Sequence, residues 1–146
     1  MNFAFEELQA VLERHHRFIT GEPGGARADL RGAELFGLDM TGVDLRRALL
    51  DGASFRRALL CGANLEGASL VKANLKRAIL QGASLKEANL ESAVFKGANL
   101  EGADLRGSVL KNAALADTAA GGARYDTRTV WPEGFDPAAA GMIFAP

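Results

Sequence analysis

The sequence predicts an all-β solenoid, a chain wound into a narrow shaft, and three observations carry that prediction. Between Ala28 and Leu115 a large apolar residue recurs at every fifth place, at 30, 35, 40 and onward, and it is Leu except at Met40, Phe55 and Phe95. The residue two places before each of these centres is Ala, except at Leu38, Val43 and Ser108. Ten of the 17 glycines stand two places after a centre, at 32, 37, 42, 52, 62, 67, 82, 97, 102 and 107.

A period of five fits neither regular element. On an α-helix, five residues advance a side chain by roughly 140°, so the centres would spiral around the cylinder and leave no buried stripe. On a straight strand side chains alternate, and an odd repeat would put Leu30 and Leu35 on opposite faces. All centres stay on one side only if the chain turns a corner once per repeat and therefore winds. Glycine suits the corner because it takes turn conformations cheaply. Alanine suits the remaining inward position, since a narrow coil already filled by Leu has room for little more than a methyl group.

Units such as Ala-Asn-Leu-Glu-Gly at 63–67 and Ala-Ser-Leu-Lys-Glu at 83–87 carry a resemblance to the pentapeptide-repeat family, whose unit is Ala-(Asp/Asn)-Leu-X-X. The resemblance runs from Ala28 to Ala116 without an insertion, and it implies a right-handed quadrilateral β-helix with four repeats per coil. Leu49, Leu59, Ile79, Val94 and Val109 depart from it, standing where Asp or Asn is usual. At about 4.8 Å between stacked strands, four to five coils make a rod of roughly 22 Å before its caps.

The ends read as attachments to this rod. Segment 1–25 is expected to be a capping helix and linker: Phe5, Leu8, Leu12, His15 and Ile19 recur at three and four, the mark of an amphipathic helix. Such a helix would shield the first coil, whose strand edges and core column are otherwise open. Gly21-Glu22-Pro23-Gly24-Gly25 then breaks it. The wording of this entry into the repeats is similar to N-terminal helices of some bacterial members of the family. Segment 26–118 is the repeat domain. Segment 119–146 gathers Tyr125, Trp131, Phe135 and Phe144 among prolines, and reads as an irregular cap or tail whose rings either plug the last coil or form an interface.

Composition bounds the function. With 17 basic and 18 acidic residues and a net charge of −1, the chain lacks the overall charge of a nucleic-acid binder. No apolar run approaches the length of a membrane span, the N-terminus lacks a basic leader, and the single Cys61 excludes an internal disulfide; a cytoplasmic protein is expected. Adjacent His15 and His16 diverge on a helix and cannot easily share a metal, Cys61 has no chain-local base, and the carboxylates are scattered. No cofactor, metal or enzymatic activity is expected.

The outer surface is the remaining candidate. With four sides per coil, residues 20 apart stack, so Arg56, Arg57, Lys76, Arg77 and Lys96 fall on one strip, a candidate anion or partner site. On the next face Leu59 and Ile79 stack at an outward position and could pack against a second copy, as could Trp131 and Phe135 at the C-terminal end. The preferred reading is a non-catalytic interaction or scaffold protein, a rigid rod whose partner is another protein and which could form a homodimer. The alternative comes from family members that mimic duplex DNA, bind DNA gyrase and confer fluoroquinolone resistance. Mimicry needs negative charge along the rod, whereas 26–118 holds 13 Lys and Arg against 11 Asp and Glu. A further alternative is anion or nucleic-acid binding through the basic strip.

This register is directly testable by a pair of adjacent substitutions. Leu75→Asp places a charge without a partner in the column and is expected to abolish folding. Lys76→Asp, one residue later, should leave thermal stability nearly unchanged. Equal melting temperatures for the two variants would contradict the register.

Overall fold

The computed structural model describes residues 2–146. Its organising feature is a parallel ladder that joins each residue before a centre to the residue 20 places later, from Asp29 with Leu49 through Asp104 with Arg124. Four five-residue sides therefore make one coil. Each rung is closed twice: the Leu60 N–H donates to the Ile79 carbonyl at 2.7 Å, and the Ile79 N–H donates back to Ala58 at 3.0 Å. Leu60 and Leu80 sit one storey apart.

The corners after Leu30 through Leu110 are closed in the same way. The N–H three places after a centre donates to that centre's carbonyl, as from Ala33 to Leu30 and from Ala78 to Leu75, both at 3.0 Å. The second residue between them has a positive φ while the first does not, which is a type II turn. At Gly62, with φ of 65°, glycine meets that demand without strain. At Arg47, Arg57, Lys72, Arg77, Glu87, Ser92, Asn112 and Asp117 a side-chain-bearing residue takes the same conformation, with φ between 56° and 62°. The ladder imposes it, because an alternative turn would tilt the next side out of register.

The Asp or Asn before a centre has a structural reason as well. Its side-chain oxygen accepts the N–H of the residue two places on, as Asn64 does from Glu66 and Asn74 from Lys76, both at 3.1 Å. This Asx contact pins the entry to each corner. Leu59 and Ile79 cannot make it. Inside, the column is apolar: nearly every centre from Leu30 to Leu110 and the alanines beside them are buried, with Phe55 and Phe95 the largest side chains. Ser108, which replaces an Ala, returns its hydroxyl to the Leu105 carbonyl at 2.7 Å.

Helix α1, Phe5–Thr20, lies over the first coil and ends at Gly21 with φ of 77°. Leu8 joins the core, while Leu12 and Ile19 are half-buried and Phe5, expected on the covered face, is 72% exposed. His15 is fully buried, and its Nδ1 accepts the Ala28 N–H at 2.9 Å. Burial pushes the imidazole below its usual range, against the pull of the Arg46 backbone and Asp44, so the ring is held neutral as an acceptor. It joins the helix to the first strand of the coil. Gly25 is required by space: a Cβ there would fall 2.4 Å from the Phe18 backbone nitrogen.

The ladder runs on past residue 118, beyond the boundary that the sequence suggests for the repeats. Ala119 pairs with Asn99, and Ala120 and Ala123 are buried in the places of a centre and of the Ala before the next centre. The pattern then slips rather than stops. Val109 pairs with Val130, 21 places on, because one extra residue is accommodated between Asp126 and Thr129. Strand β1, Arg124–Tyr125, pairs in parallel with β2, Ile143–Phe144, across 19 places. No helix among the described residues is long and apolar enough to cross a membrane.

The corners generate an opposed pair of expectations. Lys72→Gly relieves the left-handed strain and should stabilise by about 0.5–1 kcal/mol after the flexibility of glycine in the unfolded chain is allowed for. Gly62→Ala introduces the same strain where a Cβ would touch nothing within 4 Å, and should destabilise by about 1 kcal/mol. Urea denaturation of both variants checks this; shifts of the same sign would contradict it.

Candidate interaction surface

The side chains that differ from repeat to repeat are those at the corners and at the ladder position, and both look outward. Each corner therefore stacks two residues per storey into a ridge along the rod. The ridge after centres 35, 55, 75 and 95 carries Phe36-Gly37, Arg56-Arg57, Lys76-Arg77 and Lys96-Gly97 in successive coils. Their backbones are tied together, Arg57 N–H to Lys76 and Arg77 N–H to Lys96, at 3.0 and 2.9 Å. All five basic residues singled out from sequence thus come together over three storeys.

What distinguishes this ridge is that its five charges share one sign and none is answered by an ion pair. The ridge after centres 45, 65, 85 and 105 alternates in sign and is largely spent within the fold. There Arg46 pairs with Asp44 and Arg106 with Asp104, each at 2.7 Å, and Arg128 joins Glu87 to Asp126. Arg47 stacks over Phe18 at 5.0 Å. By contrast none of Arg56, Arg57, Lys76, Arg77 or Lys96 forms an ion pair with any described residue. Arg56 lies over the Phe36 ring at 5.5 Å, and that ring is 55% exposed.

The aliphatic pair stands beside these cations. Leu59 and Ile79 are bridge partners on the adjoining face, three residues after Arg56 and Lys76 respectively, and Leu59 is 39% exposed. The exposed Leu38 lies one storey before them, its carbonyl accepting the Leu59 N–H at 2.9 Å. Sequence reading treated the strip and the pair as two sites and missed Phe36 and Leu38. The signal was present in both, since Phe36 occupies an outward corner position and Leu38 replaces an inward Ala.

Trp131 and Phe135 belong to a different place. They stack on each other at 4.9 Å and are half-buried against the last coil, where Tyr125 meets Trp131 edge-on at 5.7 Å. The side chains left open at that end are Val130, Ile143 and Phe144. Cys61 is a half-buried free thiol. No group of three or more His, Cys, Asp or Glu among the described residues is arranged to hold a metal ion.

Comparison with known proteins identifies the repeat. The profile of the family described as Pentapeptide repeats matches in eight copies, over residues 26–52, 39–77 and 73–112. Among solved structures, a pentapeptide repeat protein from Nostoc Pcc 7120 is 30% identical, with 91% of this chain and 93% of that one covered and a TM-score of 0.43. A pentapeptide repeat protein from the thylakoid lumen of Arabidopsis thaliana is 33% identical, covering 65% and 66%, with a TM-score of 0.42. QnrB1, described as a plasmid-mediated fluoroquinolone resistance protein, is 19% identical over 83% and 67%, with a TM-score of 0.47. No protein of curated function matches the chain.

The contrast between the two ridges can be measured. Asp104 is buried between Arg106 at 2.7 Å and Arg124 at 3.3 Å. Burial works to raise its carboxyl, but the hydrogen bonds and charge of Arg106 outweigh it and hold the group below its usual range. Its stabilisation is therefore complete above the ordinary carboxylate range and is lost as pH falls from that range down through the group's own lowered pKa. Asp104→Asn should cost about 1–3 kcal/mol at neutral pH, whereas Arg57→Glu should leave the urea midpoint where it is. Destabilisation of equal size would show that Arg57 has a structural partner after all.

Proposed function

The chain belongs to the pentapeptide-repeat family, whose members wind as right-handed β-helices, and from that premise we propose that it is a non-catalytic interaction protein whose partner is another protein. One observation carries the reading. The interior is filled by centre and alanine side chains from Leu30 to Leu110 with almost no exposure, so the repeat presents its chemistry only on the outside. A solenoid with such an interior holds outward groups at a fixed pitch and moves little, which suits recognition of an extended partner.

Mimicry of duplex DNA is the less favoured reading on this chain. Asp29, Asp44, Asp104 and Asp126 are each tied to the Arg two residues on. Carboxylates neutralised in this way do not offer a row of phosphate-like charge. The excess of 13 basic over 11 acidic residues across 26–118 points the same way.

Affinity capture with a set of surface variants tests the proposal. Four proteins are compared with wild type, each carrying paired charge reversals or polar substitutions on one ridge of the rod and each verified to melt like wild type. The expected result is capture of a discrete protein at a fixed stoichiometry, lost on alteration of one ridge and kept on the others. Capture that no ridge variant disturbs, or no stoichiometric capture at all, would overturn the reading. Inhibition of gyrase supercoiling by purified protein at sub-micromolar concentration would favour mimicry in its place.

A further inference from the structure

Resting on that reading, we infer that the partner is engaged as an acidic amphipathic helix, laid lengthwise along the ridge of Arg56, Arg57, Lys76, Arg77 and Lys96 with its apolar side on Leu59 and Ile79. Two features of the ridge point to a ligand of opposite charge. Its five cations have no ion pair within the fold, and they sit at one storey spacing, so each repels the next. Arg57 and Arg77 also hold left-handed backbone, with φ of 57° and 59°, at corners where the neighbouring ridge has Gly62 and Gly82. Glu87 takes the same strained geometry to reach Arg128, a use inside the molecule. The two arginines are exposed, the stem of Arg77 lying along Gly97, and neither is answered by an ion pair.

The pitch selects among anionic ligands. Storeys rise by about 4.8 Å, and the carboxylates on one face of an α-helix recur every turn at about 5.4 Å. The two rows drift apart by only about 0.6 Å per step, so three carboxylates can meet three storeys within the reach of Lys and Arg. An extended acidic strand would place its like-facing carboxylates about 6.8 Å apart and fall out of step by the third.

The aliphatic pair selects against a nucleic acid. Leu59 and Ile79 lie three residues after Arg56 and Lys76, hence within about 10 Å of them. They form a second row parallel to the cations. A phosphate backbone has nothing to place on that row, while a helix with Leu beside each Glu has. Phe36, exposed one storey before Arg56, heads the cation ridge itself and adds apolar surface at its N-terminal end.

The test uses a fluorescein-labelled helical peptide of about 18 residues, with Glu at i, i+4 and i+7 and Leu after each, read by fluorescence anisotropy against the full chain. Two control peptides replace every Glu by Gln or every Leu by Gln, and a single-stranded DNA of about 20 nucleotides is the nucleic-acid arm. The Glu/Leu peptide is expected to bind at least about tenfold tighter than either control, and its affinity should fall with added salt. Arg57→Glu with Arg77→Glu should remove at least about tenfold, and Leu59→Ser with Ile79→Ser at least about threefold. Both double variants lie outside the column, and each is to be checked for wild-type melting. No binding at about 100 µM peptide, equal binding of the Gln peptide, or tighter binding of the DNA would each overturn the inference. A ridge variant that keeps stoichiometric capture of the protein partner would overturn it as well, while leaving the broader interaction role intact.

Discussion

The fold depends on one hydrogen bond made again at the corners after Leu30 through Leu110, from the N–H after the turn to the carbonyl of the preceding centre. The bond closes a type II turn, and the turn bends the chain so that the next side starts at the same depth as the last. Because the closing residue is the inward Ala, corner and core are a single device. A bulkier group there would press on the column at the very point where the backbone must fold back. Leu38 shows the outcome where the column begins: it stands in an Ala position and remains partly exposed.

The two ends solve the same problem with different chemistry. A ladder of identical rungs has no natural last member, and its terminal edge would invite another chain to pair with it. At the N-terminal end a helix covers the opening, and a buried neutral His15 takes up the Ala28 N–H that would otherwise lie unpaired under it. At the other end the coil loses its fixed step, lengthening to 21 places and then shortening to 19, while Tyr125, Trp131 and Phe135 fill the space that Leu had filled above.

Much of this was legible in the letters because the repeat is read by the backbone and not by distant contacts. A period of five excludes helix and straight strand from arithmetic alone, and the buried set from Leu30 to Leu110 follows from it. Less legible was the continuation beyond 118, since Ala120 and Tyr125 serve as centres without resembling Leu. There the ladder supplies the register that the side chains no longer declare. The Asx contact also escaped sequence reading, because Asp and Asn look like ordinary surface residues until their oxygens are seen to accept the N–H two places on. Phe5 was misplaced for a related reason: helical periodicity tells which face is apolar, not how far the covered coil extends beneath it.

The same logic separates structural from functional charge. A repeat protein offers an internal control, since every storey faces the same geometric demand and differences between storeys are choices. Where a corner carries Glu87, or a ladder position carries Asp104, the side chain is answered by an arginine of the same chain. Where corners carry Arg57 and Arg77, the backbone holds the same left-handed strain and no side chain answers. Strain of this kind costs on the order of 1 kcal/mol at each position relative to glycine. Lys72 holds the same strain unanswered on another ridge, so strain alone marks no site; what sets Arg57 and Arg77 apart is that their unanswered charges stack with three more of the same sign.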